Sequence, residues 1–584
     1  MAVSVDLATG RLGHAPMLPA GMGENVMGPV QFTHTFMHRT PADRGSLAGA
    51  KRGRAWAMLL TLMTLGTVLA GCKVTNEDVQ YWKGTVKGPR KIVAVLKATR
   101  YPIELRTQAA LALVEMERRD VDGVAQLQQA IQAVRGRDEA EAQQLVDGMV
   151  PRLGELMSGA DNAQAHEADE GPSELSTRAK DAAYMLIPFA SDAHRGEMID
   201  AVVGWYVAGF SRRALAGNYS AEQVVRSLGA RAASILVDAL NSHMPKEALV
   251  KIAEMIGQQG DDATKARAAE RLVAIEQEIE GDEFFDWLKT QIRTQIQQRS
   301  GADEVNENRV LAVATLNREK FINEGALPAM KHLAAQETVR TRLLTIAQTA
   351  PASGAAPAVA LMINQRRTNA LKALEGNAVE AQLPQFLAIA LDDGNPSSVR
   401  DYAFDRIGDI RSAAAIPRLW PLVQNADNDT NKKRLRWRGG ELVLAIGGNG
   451  IVGQFLTKLP TDREVAYEPE ELEGYATRMS QMTQPPTALM RRQLRSSNWF
   501  ARIIALRFLQ RRGTEADKRA MQRLVRDSAA TVGEAWARLH QETVGKVAED
   551  AIHQLEERLA QPAPAAGADA GTTAPDGGTA TGSN

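Results

Sequence analysis

The sequence predicts an all-α fold in which antiparallel helical pairs stack into an α-solenoid. Apolar residues recur at helical spacing, as at Ile92, Val95 and Leu96, and the pattern returns within 249–256 and 383–391. No run of alternating β-branched residues is long enough to predict a strand. Arginines recur at similar positions in successive helical segments, which indicates an internal repeat.

Length and composition are compatible with a long repeat array and exclude two classes of protein. The chain has 584 residues, of which 44% are hydrophobic and 5% aromatic, a balance that excludes a polytopic membrane protein. Lys and Arg number 69 against 70 Asp and Glu, so the net charge is -1. This charge gives no global field that would attract nucleic acid, and we expect no nucleic-acid partner.

Residues 1–71 are predicted to be a signal or leader segment, separate from the fold. Lys51, Arg52 and Arg54 form a basic cluster, and residues 55–71 follow without a charge. The length of this apolar stretch fits both a membrane-spanning helix and a secretory leader. A true start at Met37 would leave a basic segment of ordinary length before the stretch.

The apolar stretch ends in Leu69, Ala70, Gly71 and Cys72. This motif resembles the lipobox of bacterial lipoproteins. The resemblance implies cleavage before Cys72, attachment of diacylglycerol to its sulfur and acylation of the new amino terminus, so that the lipid bilayer is a partner. Lys73 follows instead of Asp, which by the same resemblance favours the outer membrane of the cell envelope over the inner membrane. An uncleaved anchor and a buried cysteine are the alternatives.

Five arginines open the predicted second helices of the pairs. They are Arg106, Arg340, Arg400, Arg436 and Arg502. A small residue that allows close packing stands three places after most of them. The pattern resembles the HEAT-repeat family, and in particular its short bacterial type. In such an array each pair shares its apolar core with the next, because one pair alone cannot bury its apolar face.

Residues 383–410 are the best copy of this repeat. The resemblance matches Asp392 or Asp393 to the acidic residue of the turn between the two helices. It matches Pro396 to the start of the second helix. These positions are structural, and no catalytic role is expected for them.

The second helix of this copy carries three further matches. Val399 and Arg400 match the Val-Arg pair whose arginine bonds neighbouring turns. Gly408 matches the glycine that ends the helix, and we expect it to adopt the left-handed conformation of a helix cap.

The chain after the leader divides into segments by composition and helical period. These are a lipidated cysteine and polar tether at 72–88, N-terminal helical repeats at 89–157, an acidic linker at 158–176, irregular helical pairs at 177–300, HEAT-like repeats at 301–560 and a disordered tail at 561–584. Within the repeats, 461–486 is predicted to be a loop. In the tether, Tyr81 and Trp82 would either lie in the membrane interface or pack under the first helix.

Two motifs are compatible with ligand binding but have simpler interpretations. Residues 448–453 spell G-x-G-x-x-G, which resembles a dinucleotide-binding loop. They follow a predicted repeat helix instead of a strand, so we expect a helix-ending glycine turn. The basic residues at 432–438 around Trp437 are interpreted as a solvated helix face, with binding of an anionic partner as the alternative.

No catalytic motif stands in a supporting context, so we expect no catalytic residues, no cofactor and no metal site. Cys72 is the only cysteine, which excludes an intramolecular disulfide. The predicted function is a membrane-anchored scaffold that binds an unidentified protein or envelope component. The alternative is an envelope enzyme or enzyme-assembly factor, which would need converging titratable groups in a pocket, for example around His194 or His243. A third possibility is an uncleaved inner-membrane anchor with the array in the cytoplasm.

Overall fold

The computed structural model describes residues 74–118, 120–159, 171–300 and 305–561. The leader, the four lipobox residues from Leu69 to Cys72 and the tail from 562 onward lie outside the described residues. Residues 160–170 of the acidic linker lie outside them as well.

The described part of the chain is all-α, which confirms the predicted class. It contains one isolated β-bridge and no strand. The α-helices are α1 (Asn76–Trp82), α2 (Gly88–Lys97), α3 (Ile103–Val114), α4 (Gly123–Arg135), α5 (Glu139–Ser158), α6 (Glu174–Leu186), α7 (Asp192–Val207), α8 (Phe210–Arg213), α9 (Ala221–Leu228), α10 (Ala230–Ala239), α11 (Lys246–Gln259), α12 (Asp262–Glu280), α13 (Asp282–Ser300), α14 (Glu307–Lys320), α15 (Leu327–Lys331), α16 (Glu337–Gln348), α17 (Pro357–Ala373), α18 (Leu383–Leu391), α19 (Ser397–Ile410), α20 (Ile416–Val423), α21 (Thr430–Lys458), α22 (Pro469–Ser480), α23 (Thr487–Gln493), α24 (Trp499–Arg512), α25 (Glu515–Gln522), α26 (Glu534–Arg538) and α27 (Val544–Ala560). None of these helices combines the length and the hydropathy that crossing a membrane would need.

Consecutive helices pack in pairs, and the pairs stack. Helix α18 packs against α19, and α20 packs against α21. The second helices α17, α19 and α21 also pack against one another in that order. Each pair therefore buries its apolar face against the next pair, which is the arrangement of a HEAT-like solenoid.

The apolar stripes read from the sequence form part of one hydrophobic core. Ile92, Val95 and Leu96 of α2 are at most 3% exposed, and Ile252 and Ile256 of α11 are fully buried. Burial of each large aliphatic side chain stabilises the fold by about 1.5–3 kcal/mol relative to its exposure. Helical spacing in the sequence thus located the core of these segments.

Aspartates before the first turn begin several of the longer helices. Asp122, Asp138 and Asp261 precede α4, α5 and α12, and each accepts a hydrogen bond from the backbone N–H three residues further on, at 2.9, 3.0 and 2.8 Å. These bonds satisfy amide groups that have no partner inside the helix. Replacing such a cap by alanine typically costs about 1 kcal/mol.

The segment 72–88 contains a helix, so the prediction of a polar tether is wrong for its described part. Thr75 and Asp78 form a capping box, in which each side chain accepts a hydrogen bond from the other residue's backbone N–H, and this box begins α1. Val79 of α1 is fully buried. The helix packs against α2 and α3 and belongs to the solenoid.

The two aromatic residues of α1 differ in burial. Trp82 is half-buried and packs against the core, with the Lys91 ammonium 4.8 Å from its ring centroid. Tyr81 is 75% exposed. Of the two residues, only Trp82 therefore packs under the first helices.

Two further segments contain more helix than the sequence predicts. Helix α22 lies inside 461–486, where a loop is expected. A proline in the first turn, Pro469, fits the start of a helix because its missing N–H would have no partner there. The acidic linker is also shorter than 158–176, because α5 extends to Ser158 and α6 begins at Glu174.

Candidate functional site

Arg400 connects the end of α18 to the turn that follows it. Its Nε donates to the carbonyl oxygen of Ala390 at 2.9 Å, and its Nη1 donates to Asp393 Oδ1 at 2.8 Å. The hydrogen bond from Lys432, together with that from Arg400, lowers the pKa of the Asp393 carboxyl. The turn between the paired helices is thus held by charge-assisted hydrogen bonds.

Three other predicted repeat residues, Asp392, Pro396 and Val399, lie in this turn or at the start of α19. Asp392 Oδ1 accepts a hydrogen bond from the backbone N–H of Gly394 at 2.9 Å. Pro396 is the residue immediately before α19, and Val399 is fully buried in its first turn. None of these contacts leaves a group oriented for catalysis, and their effect is on the geometry of the turn.

Other second helices use arginine in the same way. Arg106 Nε donates to the carbonyl oxygen of Leu96, and Arg367 Nε donates to that of Ala347, both at 2.8 Å. Each bond satisfies a carbonyl near the end of the preceding helix, where no partner exists inside the helix. In the sequence, Arg367 follows Arg366 and not a valine. The Val-Arg pattern of the repeat therefore does not identify Arg367.

Gly408 does not end α19, so the expectation of a left-handed glycine cap is wrong. The helix continues to Ile410, and the left-handed residue at its end is Arg411, with φ of 53°. A Cβ at Gly408 would lie 3.2 Å from Leu442 Cδ2. Glycine at this position therefore allows α19 and α21 to approach closely.

The basic residues at 432–438 are neutralised by neighbouring helices and turns. Four of them pair with carboxylates: Lys432 with Asp393, Lys433 with Glu468, Arg434 with Asp401 and Arg438 with Asp405. The pairs of Arg434 and Arg438 link α21 to α19. This face of α21 consequently offers no free patch of positive charge to an anionic partner.

The fifth member of the cluster, Arg436, is fully buried. Its Nε and Nη2 each donate to one carboxylate oxygen of Glu471 at 2.9 Å, and Nη2 also donates to the carbonyl oxygen of Ala466 at 2.7 Å. Burial opposes the charge of Arg436, but the hydrogen bonds and charge of Glu471 raise its pKa. Burial also raises the pKa of Tyr475, whose hydroxyl donates to Glu471 at 3.0 Å. This cluster joins α21 to α22.

A surface cavity of about 910 Å³ lies between α19, α21 and the end of α22. We call it the α19–α21 groove. Polar side chains from all three helices and the segment after α22 line it, among them Asp405, Arg411, Arg438, Asn449, Arg478 and Gln484. Buried apolar residues of the repeat, including Phe404 and Leu444, also line it. The groove is therefore built from the second helices of two consecutive repeats.

The G-x-G-x-x-G segment lies at one side of the groove and is a break in a helix, as the sequence predicts. Gly448 has φ of 56° and ψ of -151°, a conformation that interrupts α21 and that glycine adopts readily. The helix resumes after it, and Gly448 and Asn449 line the groove. The flanking helices belong to the solenoid, so the scaffold of a dinucleotide site is not formed here.

A second cavity, of about 420 Å³, is lined by His243 and Arg213. The His243 ring packs edge-to-face on Trp287, with centroids 4.6 Å apart. Arg213 donates to the carbonyl oxygen of Trp205 at 2.8 Å. None of the described residues that line this cavity is Asp or Glu, and Glu278, whose charge interacts with His243, lies outside its lining.

His194 lies near one hydroxyl and one carboxylate. His194 Nδ1 lies 3.1 Å from Ser191 Oγ and 3.6 Å from Asp147 Oδ2 on a partly exposed surface. Within the described ranges, no three His, Cys, Asp or Glu side chains group so as to hold a metal ion.

The comparison with known proteins gives similarity to solved structures only. No protein-family model and no curated protein matches the sequence. The karyopherin Kap121p bound to the SUMO protease Ulp1p matches with 11% identity and a TM-score of 0.25, over 86% of this chain and 51% of that chain. Kap121p alone matches with 10% identity and a TM-score of 0.25, over 86% and 52%. The chain thus spans about half the length of Kap121p, and its fold assignment depends on the helical pairs described above.

Proposed function

We propose that the chain is a lipid-anchored scaffold of the bacterial cell envelope that binds a partner protein in the α19–α21 groove. The observation that carries this proposal is the groove itself. Two consecutive second helices and the end of α22 surround about 910 Å³ and present polar side chains together with the half-buried Met482. Polar groups around a buried apolar centre are the composition of protein-binding surfaces.

The anchor in this proposal depends on the sequence of Leu69, Ala70, Gly71 and Cys72, which resembles a lipobox. Several acyl chains at about 0.8 kcal/mol per buried CH₂ would give stable membrane attachment. By the same resemblance, Lys73 favours the outer membrane. Anchoring would confine the solenoid and its partner to a common surface.

An enzymatic function has less support. It would need titratable groups that converge in a cavity. In the α19–α21 groove the carboxylates form ion pairs with neighbouring cations, and the cavity beside His243 has no carboxylate among its described lining residues. We therefore propose binding and not catalysis.

Site-specific photo-crosslinking in living cells tests the proposed partner. A photoreactive phenylalanine derivative replaces Gln484 in the groove, or Ala266 on the exposed face of α12 as the matched control. We expect one discrete protein adduct from position 484 and none from position 266. Equal labelling at the two positions, or no adduct from 484, would contradict binding in the groove.

Metabolic labelling tests the anchor separately. Radioactive palmitate should be incorporated into the wild-type chain and not into the Cys72→Ser variant. Unlabelled wild-type protein that keeps its leader would overturn lipid anchoring and leave the groove result unaffected.

A further inference from the structure

The charges that line the α19–α21 groove are unevenly paired. Each of its four carboxylates has a cationic partner: Glu375 with Lys331 at 3.4 Å, Asp405 with Arg438, Asp409 with Arg406 at 3.1 Å and Glu441 with Arg438 at 3.8 Å. Two of the four arginines, Arg411 and Arg478, form no ion pair with any described residue and are exposed. Since Arg438 serves two of the carboxylates, the four arginines and four carboxylates of the lining balance, and the guanidiniums left without a partner are those of Arg411 and Arg478.

The backbone at Arg411 gives a second indication. Arg411 adopts the left-handed conformation at the end of α19, with φ of 53°, where glycine or asparagine is usual. This conformation is less favourable for a residue with a Cβ than for glycine. A strained residue whose guanidinium is exposed in a groove is a candidate for ligand binding.

Uncharged polar groups in the groove could bind a peptide backbone. The side chains of Asn449, Gln481 and Gln484 are exposed and form no hydrogen bond with a described residue. Each carboxamide can donate and accept, as the N–H and C=O groups of an extended chain require. The part of α21 that resumes after Gly448 also has the positive end of its dipole at the groove.

We infer that the groove binds an extended acidic segment of the partner protein, with Arg411 and Arg478 as its carboxylate-binding residues. This inference depends on the proposed function and specifies the chemistry of the partner. Arginine forms paired hydrogen bonds with a carboxylate, and such charge-assisted bonds are the stronger kind. Both arginines are free to make them.

The arrangement favours isolated carboxylates over a polyanion. A nucleic acid or an anionic membrane surface would bring a continuous row of negative charge against the four carboxylates of the groove, and like charges in close contact are repelled. Phosphate alone would leave most of the 910 Å³ and the three carboxamides unused. A peptide with spaced acidic residues can place its charges at the two arginines only.

Peptide binding by the purified full-length protein tests the inference. The probe is a fluorescein-labelled Gly-Ser peptide that carries two spaced Glu residues, and the reference probe has Gln in place of Glu. Arg411→Gly keeps the left-handed conformation accessible, and Arg478→Gln changes an exposed position, so the double variant should fold. Arg492→Gln with Arg495→Gln removes the same charge from exposed residues outside the groove and is the matched control.

We expect the Arg411→Gly/Arg478→Gln variant to bind the Glu probe at least about tenfold more weakly than wild type, the loss of about one charge-assisted contact. The control variant should bind within about twofold of wild type. Asp405→Asn should bind about twofold more tightly, because it removes one negative charge from the groove while Arg438 keeps its contact with Glu441.

Three results would overturn the inference. They are equal binding of the Gln probe, wild-type affinity in the double variant, and displacement of the probe by an equal concentration of inorganic phosphate. The last result would indicate a small-anion site. A protein adduct at position 484 together with any of these would leave the proposed function standing, whereas absence of both adduct and peptide binding would overturn both.

Discussion

Two regions of the solenoid bury a cation completely, and they do so with different chemistry. In the C-terminal repeats Arg436 lies between α21 and α22 and binds both oxygens of Glu471. In the middle of the chain Lys180 of α6 donates to Asp181 at 2.5 Å and to the carbonyl oxygens of Ala216 and Tyr219, each at 2.9 Å. Both cations are 0% exposed.

The pKa values of the two buried cations shift in opposite directions. Burial lowers the pKa of Lys180, although the hydrogen bond that Lys180 donates to its neighbour Asp181 opposes this effect. At Arg436 the interactions with Glu471 exceed the effect of burial and raise the pKa. A guanidinium is more weakly hydrated than an ammonium and presents a planar set of donors that matches a carboxylate. The comparison indicates that Arg436 is a permanent charge, whereas the charge of Lys180 is sensitive to pH.

Removing the carboxylate beside Arg436 should have the largest effect on stability. Glu471→Ala leaves a buried charge without its partner, and we expect the free energy of unfolding to fall by about 3–5 kcal/mol. The midpoint of urea denaturation, followed by circular dichroism, measures this loss. A loss below about 1 kcal/mol would mean that water or another group replaces Glu471, and the cluster would not connect α21 to α22 as described.

Replacing the guanidinium at position 436 by an ammonium should have the next largest effect on stability. In Arg436→Lys a single ammonium cannot bind both oxygens of Glu471 and also reach the carbonyl of Ala466. We expect a loss of about 2 kcal/mol, the value of one or two hydrogen bonds to charged groups. The same urea denaturation measures it, with Lys432→Arg as a control at an exposed pair. Unchanged stability of Arg436→Lys would show that the planar donor set is unimportant here.

The lowered pKa of Lys180 predicts a stability that rises with pH. Below its ordinary value of 10.5 and above its folded-state pKa, the unfolded chain binds a proton at Lys180 that the folded chain has released. Stability therefore increases with pH in this window, by at most about 1.4 kcal/mol per pH unit for one proton. Urea midpoints at several pH values below about pH 10 measure the slope, which should be smaller in Lys180→Met.

The upper limit of that window is set by buried tyrosines with raised pKa values, which include Tyr206, Tyr467 and Tyr475. Burial raises the pKa of Tyr206, so above about pH 10 the unfolded chain loses this proton first and stability falls with pH. Equal slopes for wild type and Lys180→Met below about pH 10 would contradict a titrating Lys180.

The repeat could be predicted from the sequence, but the ion pairs that make these two regions different could not. Arg400 and Arg436 were found because the repeat places an arginine near the start of the second helix. Glu471 was missed because it lies 35 positions from Arg436, in a segment whose prolines favour a loop. The groove was missed for a related reason: whether Arg411 has a partner depends on which helices stack beside it, and local spacing does not encode that.

The smallest effect is expected where an ion pair is exposed. Asp405 and Arg438 link α19 to α21, and their side chains are 37% and 32% exposed. Because water and salt screen such a pair, Asp405→Asn should lower the free energy of unfolding by less than about 1 kcal/mol, and less at high salt. Urea midpoints of Asp405→Asn and Glu471→Ala at two salt concentrations compare the pairs directly. If the two losses were equal, burial would not be what distinguishes the Arg436 region, because both variants remove one carboxylate from an arginine of the same helix.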